Sequence, residues 1–359
     1  MHRLALIGCG DVAQRDYLPE FYRLSDRLEL AAVCSRTEER ARAVAERFGA
    51  GAWYTDYSTM LRECDADLIA NLTPIQSHTA ITLAALRAGK HVYTEKPVAS
   101  TVRDARSIQE AAQPLGRVLV CAPCVLLFPQ VRYARALLGE GAIGPVYSAH
   151  GQGQMGVPPW SGYTSDPSPF FAAGGGPALD MGVYPLHALT GLLGPVRRVG
   201  AMTARVQHGF TVADGPLMGK QVPIEVDDNW HITLDFGDGR LASVECGNSV
   251  QGTRVPQLEL CGLRGTMAVN LLDVSAPVEL LKEGSDWVSV AVPHARRAGP
   301  DHLLGIEHLI DCVEGRTMPV LSIEHAIHVL EIIEKAAQAA REGRTLTLES
   351  TFAPRTVGG

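Results

Sequence analysis

Apolar residues fall along the first third of the chain in short runs, separated by stretches with helical spacing. Leu4-Ala5-Leu6-Ile7 is the first run, and Glu29 to Cys34, Asp67 to Leu72, His91 to Thr94 and Arg117 to Cys121 repeat it. Each reads as a buried strand. Between them the pattern predicts helices from about Val12 to Leu24, from Ser35-Arg36-Thr37-Glu38 to Gly49, over Gln76 to Arg87, and over Arg103 to Gln113. Ser35 and Glu38 stand at capping-box spacing, and Gly49 and Gly89 follow helix ends. Short strands with helices between them predict an α/β fold: a doubly wound parallel sheet of the Rossmann type, with ligand at the carboxyl ends of its strands. Gly8, Ser35, Thr73 and Glu95 occupy those ends.

After about residue 122 the period changes. Pro123 to Pro129 is the predicted crossing, and Gln130 to Leu138 reads as a helix. Alternating runs follow at Val146 to Gln154, Val196 to Val206, Asn229 to Phe236, Arg240 to Asn248, Gln257 to Cys261, Thr266 to Asn270, Val278 to Leu281 and Trp287 to Val292. Tight turns such as Gly237-Asp238-Gly239 join several of them. Two helices, about His302 to Val313 and Ile323 to Arg341, close the chain. The pattern predicts a C-terminal α+β domain with a large, mostly antiparallel, open-faced sheet covered by helices on one side. The expected division is a dinucleotide-binding domain over 1–122 and a substrate-binding and oligomerisation domain over 123–359.

Composition narrows the class. At 359 residues the chain is long for one domain; 46% hydrophobic and 20% charged residues suit two cores and argue against disorder. A formal net charge of −7 offers no basic stripe for nucleic acid, and no apolar run has membrane-spanning length. Leu6-Ile7-Gly8-Cys9 resembles a lipoprotein cleavage box, but too few apolar residues precede it for an export signal. Cys121 and Cys124 have the spacing of a redox or metal pair without a second pair, so buried structural thiols are expected. The remaining cysteines are scattered, which fits a reducing cytoplasm.

Two segments carry candidate chemistry. Gly8-Cys9-Gly10-Asp11-Val12-Ala13 is a strand–turn–helix fingerprint in which Gly8 permits the turn, Gly10 lets backbone approach a pyrophosphate, and Ala13 stands where helix and strand pack closely. Glu95-Lys96-Pro97 then places an amine at the mouth of the same fold. In the second half, Gly174-Gly175-Gly176-Pro177 precedes Asp180, Tyr184 and His187, which share one face of a helix at i, i+4 and i+7. Pro185 is expected to bend that helix beside Tyr184.

These residues resemble the Gfo/Idh/MocA oxidoreductases over essentially the whole chain. The fingerprint, Asn71-Leu72-Thr73-Pro74 with Ser77-His78, and Ala88-Gly89-Lys90-His91-Val92-Tyr93-Thr94-Glu95-Lys96-Pro97 look like the family's N-terminal signatures. Gly174-Gly175-Gly176 through Tyr184, Val226-Asp227-Asp228 and Glu342-Gly343-Arg344 match in the second half. The resemblance implies a nicotinamide enzyme acting on a sugar or polyol carbon. Lys96, Asp180 and Tyr184 are its catalytic residues, and Gly8, Gly10, Asp11, Val12, Ala13, Ser35, Arg36, Arg40, Thr73, Pro74, His78, Glu95 and Lys96 lie along the cofactor. The inositol-dehydrogenase-like pattern has His where this chain has Tyr184, and Asp where it has His187. Tyr184 resembles the glucose-fructose oxidoreductase and dihydrodiol dehydrogenase branches.

Hydride exchange at a secondary alcohol or ketone needs a proton to leave or reach the oxygen. Tyr184, acidified by Lys96, is the first candidate for general acid/base; Lys96 polarises the oxygen and Asp180 orients Lys96 or a substrate hydroxyl. The reverse assignment, with Lys96 as proton donor, uses the same residues. Lys96, Trp160, Tyr163, Asp180, Tyr184 and His187 are the expected substrate contacts, with Asp166 on the same loop as Trp160 and Tyr163. Ser35, Arg36 and Arg40, standing where an NAD enzyme carries an acid, favour NADP(H), with NAD(H) the alternative. No metal site is expected. Competing classes are a non-catalytic dinucleotide sensor on the same fold, which has no need of Lys96 and Tyr184, and metal-dependent hydrolysis, for which no ligand set is present. A small carbohydrate is the expected partner, and a homodimer or homotetramer through the C-terminal sheet the expected assembly. A cis Lys96–Pro97 bond is anticipated beside the site.

Overall fold

A computed structural model describes residues 1–158, 160, 162–293 and 298–356. Its first sheet contains β1 (His2–Ile7), β2 (Leu28–Cys34), β3 (Ala52–Tyr54), β4 (Leu68–Asn71), β5 (His91–Thr94) and β6 (Leu119–Cys121), all parallel, in the order β3-β2-β1-β4-β5-β6. That is the doubly wound order, and it leaves crevices at the carboxyl ends of β1 and β4. α1 (Glu38–Phe48), α2 (Tyr57–Glu63), α3 (His78–Arg87) and α4 (Val102–Leu115) make the crossovers. Leu4, Leu6, Leu68, Ile69 and Val92 are almost completely buried, as strands covered on both faces require.

Two local expectations are corrected, and two short elements are added. The predicted helix from Val12 to Leu24 is a π turn over Ala13–Tyr17 followed by a 3-10 segment over Leu18–Leu24. Pro19, with no N–H to give, stands at the start of that second segment and ends the first one's hydrogen-bond ladder. The Ser35–Glu38 capping box is not made: α1 starts after Thr37 without a side-chain cap, and the Ser35 amide instead donates to the Tyr54 carbonyl. β3 and α2 escaped the apolar pattern because β3 is short and only partly buried; α2 is capped by Asp56, whose carboxylate accepts from the Thr59 amide.

Beyond β6 the chain crosses through α5 (Pro129–Gly139) into a second sheet. It is formed by β7 (Val146–Gln154), β8 (Arg198–Ala204), β11 (Asn229–Gly237), β12 (Arg240–Gly247), β13 (Leu258–Gly262), β14 (Gly265–Val269), β15 (Val278–Lys282), β16 (Val288–Val290) and β17 (Leu346–Thr347). The order is β16-β15-β14-β13-β7-β12-β11-β8-β17, antiparallel except for the parallel pair β7 and β12. The sequence pattern did not reveal a separate hairpin, β9 (Gly209–Thr211) with β10 (Gln221–Pro223). With the short α6 (Ser168–Phe171) it buries Phe171, Val212, Val222 and Ile224 in a satellite core. α7 (Val183–Leu193) and α9 (Ile323–Glu342) cover one face of the large sheet, while α8 (Leu303–Val313) packs back against β5 and β6. One continuous apolar core therefore joins both halves.

β7 sets how α7 sits. A Cβ at Gly153 would lie 2.5 Å from the Met181 carbonyl, and one at Gly151 would lie 2.8 Å from the Pro185 ring. Both distances are too short for any side chain, so the helix rests directly on strand backbone. Just before it, Ala178–Gly182 forms a π turn. Pro185 has no N–H for the Met181 carbonyl four residues back, and that oxygen accepts from the Val183 amide instead. Where a bend beside Tyr184 was expected, the structure has this change of helical winding.

Candidate active site

β5 ends at Thr94 and delivers Glu95 and Lys96 to the mouth of the parallel sheet. The buried Glu95 carboxylate accepts from the Tyr17 hydroxyl and, at 2.8 Å, from the Lys96 amide. Tyr17 and Tyr93 have their hydroxyls 2.8 Å apart. The Lys96–Pro97 peptide is cis, as anticipated. With Glu95 turned inward, Lys96 reaches across to the second half of the chain. Its Nζ donates to the Asp180 carbonyl at 2.7 Å and to Asp180 Oδ1 at 2.5 Å.

Tyr184 completes the group, with Lys96 Nζ 5.2 Å from the centre of its ring. The hydroxyl of Tyr184 has no protein partner among the described residues. Burial works to lower the pKa of Lys96, but the Asp180 carboxylate and its neighbours outweigh it and push the ammonium well above its ordinary value. Burial dominates at Tyr184 and raises its phenol; the opposing influence of Lys96 is smaller. Lys96 thus acts on Tyr184 in the expected direction, but burial outweighs it and the net shift of the phenol is upward.

The structure brings together Lys96, Asp180 and Tyr184 but not His187. The π turn holds more residues per turn than an α-helix, so the stripe expected at i, i+4 and i+7 does not survive to its third member. His187 is 4% exposed, its Nδ1 lies 2.8 Å from the Val183 carbonyl, and its ring packs 4.8 Å from that of His325. Trp160 is spent on packing: its indole donates to the Gly156 carbonyl at 2.6 Å and meets Phe170 edge-on at 5.5 Å. Asp166 is held by Lys220 at 2.5 Å and Ser168 at 2.6 Å. Tyr163 stays near the cleft, where burial and then the charges of Asp11 and Asp180 raise its phenol.

The nucleotide end fits a dinucleotide. Gly8 has φ +105°, and a Cβ there would lie 2.5 Å from the Leu72 carbonyl oxygen, so the turn closes against the end of β4 only with glycine. At Gly10 a Cβ would meet nothing within 4 Å, which leaves open space in front of the following amides of Asp11, Val12 and Ala13. Ser35, Arg36 and Arg40 stand at and beyond the end of β2. Arg36 and Arg40 are exposed, without an ion pair among the described residues, and Arg40 is near enough to Cys9 to oppose the burial that pushes that thiol up to about 12. The Thr73 hydroxyl donates to Asn71 at 2.7 Å, and Pro74 follows at the start of a short turn. His78 lies beneath this surface, with its two ring nitrogens 2.7 Å from the Pro97 and Thr73 carbonyls. It ties the nucleotide turn to the segment carrying Lys96.

Sequence reasoning missed several participants. Thr164 donates to Asp11 through its amide at 2.9 Å and its hydroxyl at 2.7 Å, and the Ser165 amide adds a bond at 2.6 Å. Burial alone would raise the Asp11 carboxyl; these donors outweigh it and hold it below the usual range. The loop carrying Tyr163 is thereby fastened to the glycine turn. Gln152 and Gln257 line a small cavity of about 20 Å³ beside Tyr184, and Gln152 Oε1 is buried without a partner among the described residues. Only contacts between distant segments expose these roles. Cys121 and Cys124 are both buried free thiols. Among the described residues no group of His, Cys, Asp and Glu could hold a metal, and no helix is long and apolar enough to cross a membrane.

Known sugar dehydrogenases and reductases resemble this chain over most of its length. The chain is 26% identical to D-glucoside 3-dehydrogenase of Escherichia coli K12, over 96% of its own length and 97% of that protein's. It is 32% identical to 1,5-anhydro-D-fructose reductase of Ensifer adhaerens, over 70% of this chain and 74% of the other. The solved structure of aldose-aldose oxidoreductase from Caulobacter crescentus, complexed with glycerol, superposes with a TM-score of 0.81 at 25% identity, covering 97% of this chain and 99% of that one. Residues 2–122 match the NAD-binding Rossmann profile of one oxidoreductase family and residues 131–268 match its C-terminal domain profile, so the chain belongs to the Gfo/Idh/MocA family.

Proposed function

We propose that this protein is an NAD(P)-dependent dehydrogenase or reductase acting on a secondary alcohol or ketone carbon of a sugar, polyol or related small carbohydrate. The observation that carries the reading is the ammonium of Lys96, anchored on Asp180 from the other half of the chain, beside a Tyr184 hydroxyl free to meet a substrate oxygen. Bound nicotinamide supplies or accepts the hydride; the protein's task is the proton and the charge. Neutral Tyr184 donates to the forming alkoxide in reduction and, as tyrosinate, takes the proton back in oxidation. Lys96 stays charged and stabilises the oxygen while its charge develops. Asp180 fixes where Lys96 points, and Tyr163 with the Gln152 and Gln257 amides offers hydrogen bonds to the sugar's other hydroxyls.

Free Arg36 and Arg40 beyond β2 support NADP(H) over NAD(H) in this reading. The unpaired cysteines suit a reducing cytoplasm. Exposed Tyr147, Met202 and Leu241 support a homodimer or homotetramer through the large sheet; sedimentation at micromolar concentration showing monomer alone overturns that assembly. The function is tested by following nicotinamide absorbance with aldoses, ketosugars, inositols and deoxy-keto sugars under both cofactors. Lys96→Ala and Tyr184→Phe are each expected to lower turnover at least about a hundredfold. A panel with no turnover, or variants as fast as wild type, sinks the proposal.

A further inference from the structure

A second cavity, of about 430 Å³, opens along α5, and none of the fingerprint, Lys96, Asp180 or Tyr184 lines it. Three arginines line it: Arg132 and Arg135, three residues apart on one side of α5, and Arg355 from the C-terminal tail. None of the three has a carboxylate partner among the described residues. Arg135 gives one N–H to the Gly191 carbonyl at 2.8 Å, and Arg355 gives one to Pro319 at 3.1 Å, which leaves the other donors unspent. Burial lowers the pKa of Arg135 with nothing acidic to oppose it. Asp301 also reaches the cavity, but its carboxylate is 2% exposed and held at both oxygens by Arg23, at 2.9 and 2.8 Å. Among the described lining residues the charge is therefore net positive. The remaining wall is apolar and includes Leu127, Leu304 and Val320.

Three arginines with unspent N–H donors and no carboxylate partner among the described residues, gathered on one space of this size, suit a shared anion. We propose that this cavity binds a small organic phosphate ester, whose dianionic head is forked by Arg132, Arg135 and Arg355 while its apolar body lies on the leucine and valine wall. The site is separate from the dinucleotide crevice and stands whether or not the proposed reaction does.

Calorimetric titration of the cofactor-saturated protein with phenyl phosphate, inorganic phosphate and phenol tests it. Phenyl phosphate should bind once per chain, at least about tenfold more tightly than either fragment. Arg132→Glu and Arg355→Glu, both with normal circular dichroism, should each weaken it at least about tenfold; Arg132→Gln serves if a charge reversal disturbs folding. Arg36→Ala with Arg40→Ala should leave it unchanged. The proposal is overturned by the absence of saturable phenyl phosphate binding, by phenol binding as tightly, by binding undiminished in the arginine variants, or by binding lost in the Arg36/Arg40 variant.

Discussion

Replacing Asp180 by Asn keeps the shape of the site but removes the charge that holds Lys96. Lys96 and Asp180 side chains are only 13% and 8% exposed, so neither is well solvated once the other is neutral. In the native protein burial is the largest influence on Lys96 and acts to deprotonate it; the Asp180 carboxylate is the next and, with Tyr184 and Glu95, outweighs it. Without the Asp180 carboxylate, burial meets less opposition and Lys96 should lose its proton at a lower pH. Stability should fall by about 3–5 kcal/mol, the usual cost of leaving one partner of a buried pair uncompensated, and turnover by about a hundredfold. The distinguishing readout is kcat/KM for ketone reduction against pH. In the wild type it should run flat through neutral and mildly alkaline pH, because Lys96 and Tyr184 are both pushed up; in Asp180→Asn a new ionisation should appear inside that window. A variant with the wild-type profile and wild-type urea midpoint would refute the argument that Asp180 controls the charge of Lys96.

Two further perturbations follow from named groups. His308 Nε2 and His328 Nε2 accept from the amides of Val320 and Val196, each at 2.9 Å, so both rings must be neutral there. Burial lowers these two and His187 to about 4. A histidine depressed in the folded state contributes stability above its unfolded value near 6.5, and that contribution is lost as pH falls toward 4. Each should cost ~1.4 kcal/mol per pH unit across the window; urea unfolding with an unchanged midpoint between pH 7 and 5 would contradict this. Mutating Arg36 and Arg40 to Ala should weaken NADPH far more than NADH in fluorescence titrations, and equal losses would remove the case for a 2′-phosphate.

Much of the fold was legible because it rests on local pattern. The runs at β1, β2, β4, β5 and β6 are buried on both faces and nearly unbroken, and β7, β11 and β12 begin within a residue of where alternation places them. β3 was not visible, since a short, half-exposed strand carries no run to read. The site divides in the same way. Lys96, Asp180 and Tyr184 could be named because glycine and proline frame them in sequence, whereas His187 depended on regular winding that Pro185 disturbs. Trp160 looked available because a sequence does not show that Phe170, Phe171 and Phe210 gather around it. The fastening of Asp11 by Thr164 and Ser165 spans 153 and 154 positions and leaves no mark in either segment.

The Lys96–Asp180 bond does two jobs, and they constrain one another. It places the ammonium, and it is also a buried ion pair between the first sheet's β5 and the π turn leading into α7. In the proposed reaction a substrate oxygen approaching Tyr184 would meet a cation already committed to Asp180, and additional negative charge would be welcome only as the alkoxide forms. In the proposed reduction this would favour the transition state over the bound ketone. In oxidation the same arrangement first requires a proton to leave a phenol that burial holds high. Rates of alcohol oxidation should thus climb with pH while ketone reduction stays level, and the asymmetry between the two directions follows from the burial of one tyrosine beside one anchored lysine.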